Sequence, residues 1–455
     1  MTFATREPGM RIGYYLRLAL KSLARTPGLT ALMMCAIGFG IAACIVMLTI
    51  YHAMSGNPIW WKNNVLYAVT MDTWAPRAPF DSDRPALPPP QLTYRDASYL
   101  FQSAIPQRKV MMYPIKGVLS GAPGQRHPAP VLTRATTADF FAMFDVSFEY
   151  GGAWDAAADR GPDPVVVISH EENERLFGGA DSVGHTILWN GHPFRIVGVM
   201  GGWWPKPRFY DVINGAFDKP EDVYVPFGWG PALQQLPVGM VACWGDTSHD
   251  TYAGFLGGEC SWIQMWVELP NAASRDRMLA LMNAYAVSQR KSGRFRRPLD
   301  NRLTRVSQWL AEQGVVTNDS RLLLRLAFAF LAVSLINTAG ILLAKFLRAA
   351  PTAGVRRALG ATRAQIFLQY LIEVAALSLA GSGLGLALGA LGLRAMHWLY
   401  AINTVDNSGY QELTHFDPAG LAWALALAFL STFAAGLYPA WRIGRLPPAT
   451  YLKSQ

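Results

Sequence analysis

Charge is scarce in this chain and unevenly placed. Asp, Glu, Lys and Arg make up only 16% of its 455 residues. Leu29–Tyr51, Leu326–Ala344 and Pro418–Trp441 contain none at all, and in a fourth apolar stretch, 366–393, Glu373 is the one charged residue. About 20 apolar residues cross the hydrocarbon of a bilayer, so the pattern predicts four membrane spans at 29–51, 326–344, 366–393 and 418–441. Residues 52–325, between the first and second, form a large soluble insert.

Other absences narrow the chemistry. No G-x-x-x-x-G-K-[ST] occurs, so these residues hold no phosphate-cradling loop, and any ATP hydrolysis, with its ATP and Mg²⁺, falls to another polypeptide. Neither H-E-x-x-H nor G-x-S-x-G is present, and no catalytic residue is assigned. His170, Glu171, Glu172 and Glu174 cluster, but acids at a helix start answer the helix dipole, and no metal site is assigned there. Cysteine is rare: Cys35 and Cys44 lie in span one as small packing residues, whereas Cys243 and Cys260 fall in the insert. In an oxidising compartment that pair closes a short loop as a disulfide; two buried free thiols are the alternative.

The basic residues set the orientation. Arg6, Arg11, Arg17, Lys21 and Arg25 precede span one against a single Glu7. The loop between spans two and three has Lys345, Arg348, Arg356, Arg357 and Arg363 with no acid, and the tail adds Arg442, Arg445 and Lys453. The loop between spans three and four carries Asp406, Glu412 and Asp417 instead. By the positive-inside rule both termini are cytoplasmic and the insert is exported. These three segments alone exceed the chain's net charge of +9, so the remainder is slightly acidic and a nucleic-acid partner loses its electrostatic support. The implied domains are a cytoplasmic amphipathic helix at 1–28, the exported region at 52–325, a cytoplasmic segment at 345–365, an exported loop at 394–417 and a cytoplasmic tail at 442–455.

The insert reads as mixed α/β in two lobes, with a boundary between 200 and 235. Val165–Ser169, Val223–Pro226 and Ile263–Leu269 are rich in strand formers. Thr186–Trp189 and Phe194–Val199 flank Asn190-Gly191, a hairpin signal. The six prolines of 76–90 exclude a regular helix or central strand. Arg275–Gln289 has helical character, and Leu303–Gln313 with Asp319–Leu326 reads as a helical stalk leading into span two. Trp203, Trp204, Trp229, Trp244 and Trp262 could line a groove, but core packing is the commoner use. The cluster Arg290, Lys291, Arg294, Arg296 and Arg297 reads as a solvated loop.

Within the membrane, Gly381, Gly385 and Gly389 recur every four residues, a spacing that lets helices approach closely. Glu373 falls near the inner boundary, where a structural role is expected. The segment Gly354–Glu373, GVRRALGATRAQIFLQYLIE, places a basic helical stretch on the inner rim; lipid binding and docking on a protein are both open to it.

Three blocks carry a family resemblance: LALKSLARTPGLTALMM (18–34), GVRRALGATRAQIFLQYLIE (354–373) and AGLYPAWRIGRLPPATYL (435–452). With VVVISHEENERLFGG, DSVGHTILWNGHPFRIVGVM and DVYVPF of the insert, they resemble MacB-type, FtsX-like ABC transporter permeases over nearly the full length. The resemblance implies an α-helical membrane domain at 326–455 together with span one, and an α/β periplasmic core domain on a helical stalk. It implies a dimer with itself or a second permease, in a bacterial inner membrane, served by a separate cytoplasmic ATPase. A periplasmic adaptor and an outer-membrane duct are implied as further partners. Arg356, Arg357, Leu359, Gly360 and Ala361 would meet the ATPase, and mechanotransmission would drive efflux, lipoprotein release or regulation of cell-wall hydrolases. The family's usual Glu two residues before the motif glycine is Thr352 here, implying weaker or asymmetric coupling. A non-transporting membrane-anchored sensor or adaptor, and a regulator of periplasmic enzymes, are the rival readings.

The orientation is open to test. A cysteine placed at Gly121 should react with an impermeant maleimide added outside intact spheroplasts; protection at that position would contradict the exported insert.

Overall fold

The computed structural model describes residues 8–121, 127–161, 163–245, 251–403 and 418–445. The chain divides into two units, Ser55–Val315 and the combination of Met1–Met54 with Val316–Gln455.

In Ser55–Val315, strand-forming segments assemble one mixed sheet. Its strands are β1 (Leu66–Thr70), β2 (Leu92–Thr93), β3 (Arg108–Ser120), β4 (Ala129–Thr136), β5 (Phe148–Gly151), β6 (Val165–Ile168), β7 (Thr186–Trp189), β8 (His192–Met200), β9 (Val223–Pro226), β10 (Ala242–Cys243), β11 (Cys260–Glu268) and β12 (Arg302–Arg305). The main path runs β12-β1-β11-β3-β4-β9-β6-β8-β5, with β10 and β2 on β11 and β7 joining β3 to β8. Strand β9 lies inside the interval expected to separate two lobes, yet it pairs with β4 on one side and β6 on the other. The sheet therefore passes through that interval unbroken.

Local sequence accounts for much of this. Asn190 and Gly191 both have positive φ, 51° and 80°, which a two-residue hairpin turn between right-twisted strands requires. Strand β11 is buried at all nine positions, which explains its poor alternation: a strand covered on both faces reads as a continuous apolar run. Helix Ala272–Arg290 opens with a capping box of Asn271 and Ser274, and His170–Phe177 is capped by Ser169 and closed by Gly178 at φ 62°. The expected helix at Leu303–Gln313 is corrected at its start. Arg302–Arg305 pairs with β1 as a strand, and the helix runs only over Val306–Glu312. Cys243 and Cys260, paired across β10 and β11, are joined by an S–S bond of 2.03 Å.

The tryptophans serve separate sites rather than one groove. Trp262 lies in the core against Tyr113 and Phe255, Trp229 packs on Phe194, and Trp203 stacks on Tyr210. His170 bonds Glu149 at 2.8 Å while Glu172 pairs with Arg175. Among the described residues no group of His, Cys, Asp and Glu converges on a metal-sized point.

The basic cluster at 290–297 is also different from expectation. Arg294 is buried and bonds both carboxylate oxygens of Asp96 at 2.8 and 2.9 Å, with Glu259 alongside. Arg297 reaches Asp72 at 2.8 Å, and Arg290 donates to the carbonyls of Phe295 and Arg297. Composition shows the charges as a run; two of their acidic partners, Asp96 and Asp72, are 198 and 225 residues away in sequence and the third, Glu259, is 35 away.

Deeper still, Arg134 and Arg208 share the carboxylate of Glu221, and Arg134 also pairs with Asp211. All four side chains are buried. Tyr210 and Tyr224 donate to Glu221, and Gln264 and Asn214 donate to Asp211. Burial alone raises the Glu221 carboxyl, but the two guanidinium charges outweigh it and hold its pKa at about 2, below the ordinary 4.5.

In the membrane unit, three helices among the described residues are long and apolar enough to cross a bilayer: Pro27–Ser55, Asn318–Arg348 and Arg363–Trp398. The last of these continues as helix to Asn403. A further helix, Pro418–Arg445, covers the fourth uncharged segment. The second span and the membrane-proximal part of the expected stalk are thus one continuous helix of 31 residues. Before Pro27 lies the amphipathic helix Pro8–Arg25. Built on the backbone, a Cβ at Gly381 or Gly385 would fall 2.8 or 2.7 Å from Ile37 or Ile41, and at Gly389 3.2 Å from Ile45. The glycines every four residues are what allow the third span to lie against the first. Cys44 is buried beside Ile41 and Ile45, whereas Cys35, expected as a packing residue, is exposed on its helix. Asp406, Glu412, Asp417 and Lys453 lie outside the described residues.

The buried ionic cluster gives a stability prediction with a definite sign. Because the folded pKa of Glu221 is depressed, its stabilisation is complete above about pH 4.5 and is lost as pH falls towards 2. Arg134→Met leaves two carboxylates short of a partner and should cost about 3–5 kcal/mol at neutral pH, with the loss shrinking on acidification. Hydrogen exchange of β4 and β9 amides across pH 3–7 measures both; a loss independent of pH would contradict the assignment.

Candidate coupling site

Helix Asn318–Arg348 ends where Pro351 cannot extend it, since proline lacks an N–H and its ring collides with the carbonyl four residues back. Ala349 is the hinge, and a new helix starts at once, Ala350–Ala358, with proline in its first turn. Ala350 and Ala353 face inward, 4% and 8% exposed. The opposite face carries Val355, half exposed; Arg356 and Arg357, both half-buried, lie in the last turn, with Arg357 on the same face as Ala350 and Ala353.

The stop is built from backbone. The amide of Gly360 donates to the carbonyl of Arg357 at 3.1 Å, and the amide of Ala361 to that of Arg356 at 3.0 Å. This is the doubly bonded helix C-terminus in which the residue after the cap turns left-handed. Gly360 has φ +100°, with open space where a Cβ would point. Glycine is required here by its backbone angle and not by a close neighbour. The turn leaves Leu359 83% exposed at its tip. Thr362 and Gln365 then bond reciprocally, at 2.9 and 3.2 Å, to start the next helix.

The helical stretch expected over Gly354–Glu373 is therefore broken at Gly360, between Ala350–Ala358 and the helix that starts at Arg363. Val355 and Leu359 project outward, while Ile366 and Tyr370 are buried in the unit. Arg356 bonds the side-chain oxygen of Gln369 at 2.7 Å, fixing the short helix to the third span. Arg363 is exposed on the far side of the turn, and Thr352 is exposed near the start of the short helix. The result is an apolar knob flanked by guanidinium groups, on a rigid turn between two long apolar helices.

Sequence reasoning located this segment but not its internal geometry. The reciprocal Thr362–Gln365 caps carried a readable signal, a threonine three residues before a glutamine at a helix start. Lys345, 2.6 Å from Glu373, is the first basic residue after the uncharged run 326–344, a position from which its pairing with the lone acid of the next span could have been sought.

Comparison with known proteins gives the family. Residues 30–285 match the MacB-like periplasmic core domain, and residues 325–448 match the FtsX-like permease C-terminal domain. The chain belongs to the MacB/FtsX-like ABC transporter permease family. A pyoverdine export ATP-binding/permease protein, PvdT, of Pseudomonas syringae pv. tomato is 23% identical over 439 residues, covering 94% of this permease and 57% of PvdT. An uncharacterized ABC transporter permease protein of Mycobacterium tuberculosis is 34% identical over 102 residues, covering 22% of this chain and 12% of that one. This permease thus spans little more than half the length of the PvdT relative. The periplasmic region of MacB from Actinobacillus actinomycetemcomitans aligns with 55% of this chain and 92% of its own, at 13% identity and TM-score 0.34.

The turn makes a specific prediction. Because Gly360 sits at φ +100°, any side chain strains the turn, Gly360→Asn less than Gly360→Val, which should unwind it at about 1–2 kcal/mol. Amide exchange at Leu359–Gln365 in the reconstituted protein reads the difference. Equal protection in both variants would contradict the backbone argument.

Proposed function

We propose that this permease is the membrane subunit of a MacB-like exporter that passes the ATP cycle of a separate cytoplasmic ATPase to its periplasmic region. In this reading it spans the bacterial inner membrane four times with both termini cytoplasmic, and dimerises with itself or a second permease. The spans carry motion to a head whose two lobes share one continuous sheet. Substrate is taken from the periplasm through an adaptor and an outer-membrane duct. ATP and Mg²⁺ are held by the ATPase, since these 455 residues contain no P-loop.

The observation that carries the reading is the turn at 356–361. A half-folded loop would suffice to bind lipid headgroups. Here a doubly bonded stop, a left-handed glycine and a reciprocal cap hold one apolar side chain, Leu359, outward between arginines. Preorganisation of that kind favours a shaped partner over a fluid one, because ordering need not be paid on binding. The PvdT relative is named as both ATP-binding protein and permease, which supports an ATPase as the partner in this family.

Charge reversal decides between the partners. Arg356→Glu with Arg357→Glu should weaken ATPase association by about 1.5–3 kcal/mol per lost charge-assisted contact and abolish stimulation of hydrolysis in proteoliposomes. An unchanged response would remove the coupling assignment and favour a lipid-bound or non-transporting protein. Measured alone and then with a second permease, the same assay reads the effect of Thr352. Full stimulation by this chain alone would exclude a required heterodimer.

A further inference from the structure

Glu373 is the carboxylate that the coupling turn does not use, and it is 1% exposed. Its Oε1 accepts from Lys345 at 2.6 Å and from Ser22 at 2.9 Å. Lys345 closes the second span, Glu373 belongs to the third, and Ser22 lies on the amphipathic helix that precedes the first. One oxygen atom therefore joins three helices. The neighbouring turn of the third span carries Gln369, bonded to Arg356 of the coupling helix, and Tyr370, whose ring lies 4.5 Å from that of Phe346. Gln369, Tyr370 and Glu373 stand four, three and zero positions from the same point on one helix, hence on one face.

We propose that Glu373 is a positioning residue, a clasp by which displacement of the coupling turn is passed to the amphipathic helix Pro8–Arg25 and so to span one. Lys345 and Glu373 close the base of the coupling segment and make its two flanking helices one body. Ser22 is the uncharged partner, and its hydrogen bond adds a directional tie to the packing of Ala19 and Leu23 that holds the amphipathic helix on that body. A buried ion pair is not needed for stability alone, because apolar replacement of both partners is often neutral while loss of one is costly. What the pair supplies that an apolar contact would not is an acceptor for Ser22. The consequence for transport rests on the coupling reading above; the mechanical claim does not.

The experiment uses the full chain in nanodiscs, with Cys35→Ala and Cys44→Ala, and nitroxides at the exposed positions Leu16→Cys and Leu359→Cys, diluted with unlabelled chain. Pulsed electron resonance should give one sharp distance, retained in Ser22→Thr and lost to a broad distribution in Ser22→Ala and in Lys345→Met/Glu373→Met. Ser22→Ala removes one hydrogen bond and Ser22→Thr keeps its hydroxyl, so folding is not at risk. A distribution unchanged in both variants would overturn the clasp. In proteoliposomes with the partner ATPase, Ser22→Ala should leave ATPase binding intact while stimulation falls; undiminished stimulation would overturn the proposed relay. Absence of stimulation in the parent chain would instead defeat the coupling reading, and the distance measurement would still decide the clasp.

Discussion

The cost of taking a charge out of water governs both units of this protein. In the membrane unit it forbids ionised side chains along the spans, which is why charge-free stretches mark them and basic residues collect between them. In Ser55–Val315 the same cost appears as obligation: Arg134, Arg208 and Arg294 are buried only because Glu221, Asp211, Asp96 and Glu259 meet them. Each unit meets one physical constraint in its own way, by exclusion in lipid and by pairing in the sheet. Glu373 belongs to the second kind although it lies on a membrane helix, and Lys345 meets it there.

Pairing also ties remote sequence together. Arg294 joins Asp96 across 198 positions, and Arg134 joins Glu221 across 87. Such contacts fix how β4, β9 and the loop before β9 sit on one another, and they tolerate little error, because a buried carboxylate stripped of its guanidinium is worse than an apolar residue. The apolar core around Trp189, Trp262 and Phe194 supplies the larger share of burial but is more forgiving of shape.

What could be read from sequence follows from the range of the forces involved. Membrane helices declare themselves over about 20 residues, and the Asn190-Gly191 turn over two. The segment proposed to couple could be singled out because its arginines and glycine fall within 356–360. The long hairpin of β3 and β4 was harder to read because Pro114 and Gly117, residues that local rules place outside a central strand, interrupt β3, and Arg302–Arg305 looked helical because only its pairing with distant β1 makes it a strand. The basic run at 290–297 misled for the same reason: a sequence shows charges without their partners. At the candidate site, identity was legible and posture was not, since whether Leu359 points out depends on the φ of Gly360.

The contact between the first and third spans has a mechanical side. Ile37, Ile41 and Ile45 sit on Gly381, Gly385 and Gly389, a tooth and a notch every four residues. Stiff β-branched teeth cannot be shortened by a change of rotamer. To slide along the axis, all three must rise from their notches together, and a shift by one whole repeat, about 6 Å at 1.5 Å per residue, would seat two of them while setting the third against buried Leu377 or Leu393. A rack of this form locks. It would pass a push at one end of the pair to the other as the movement of a single body.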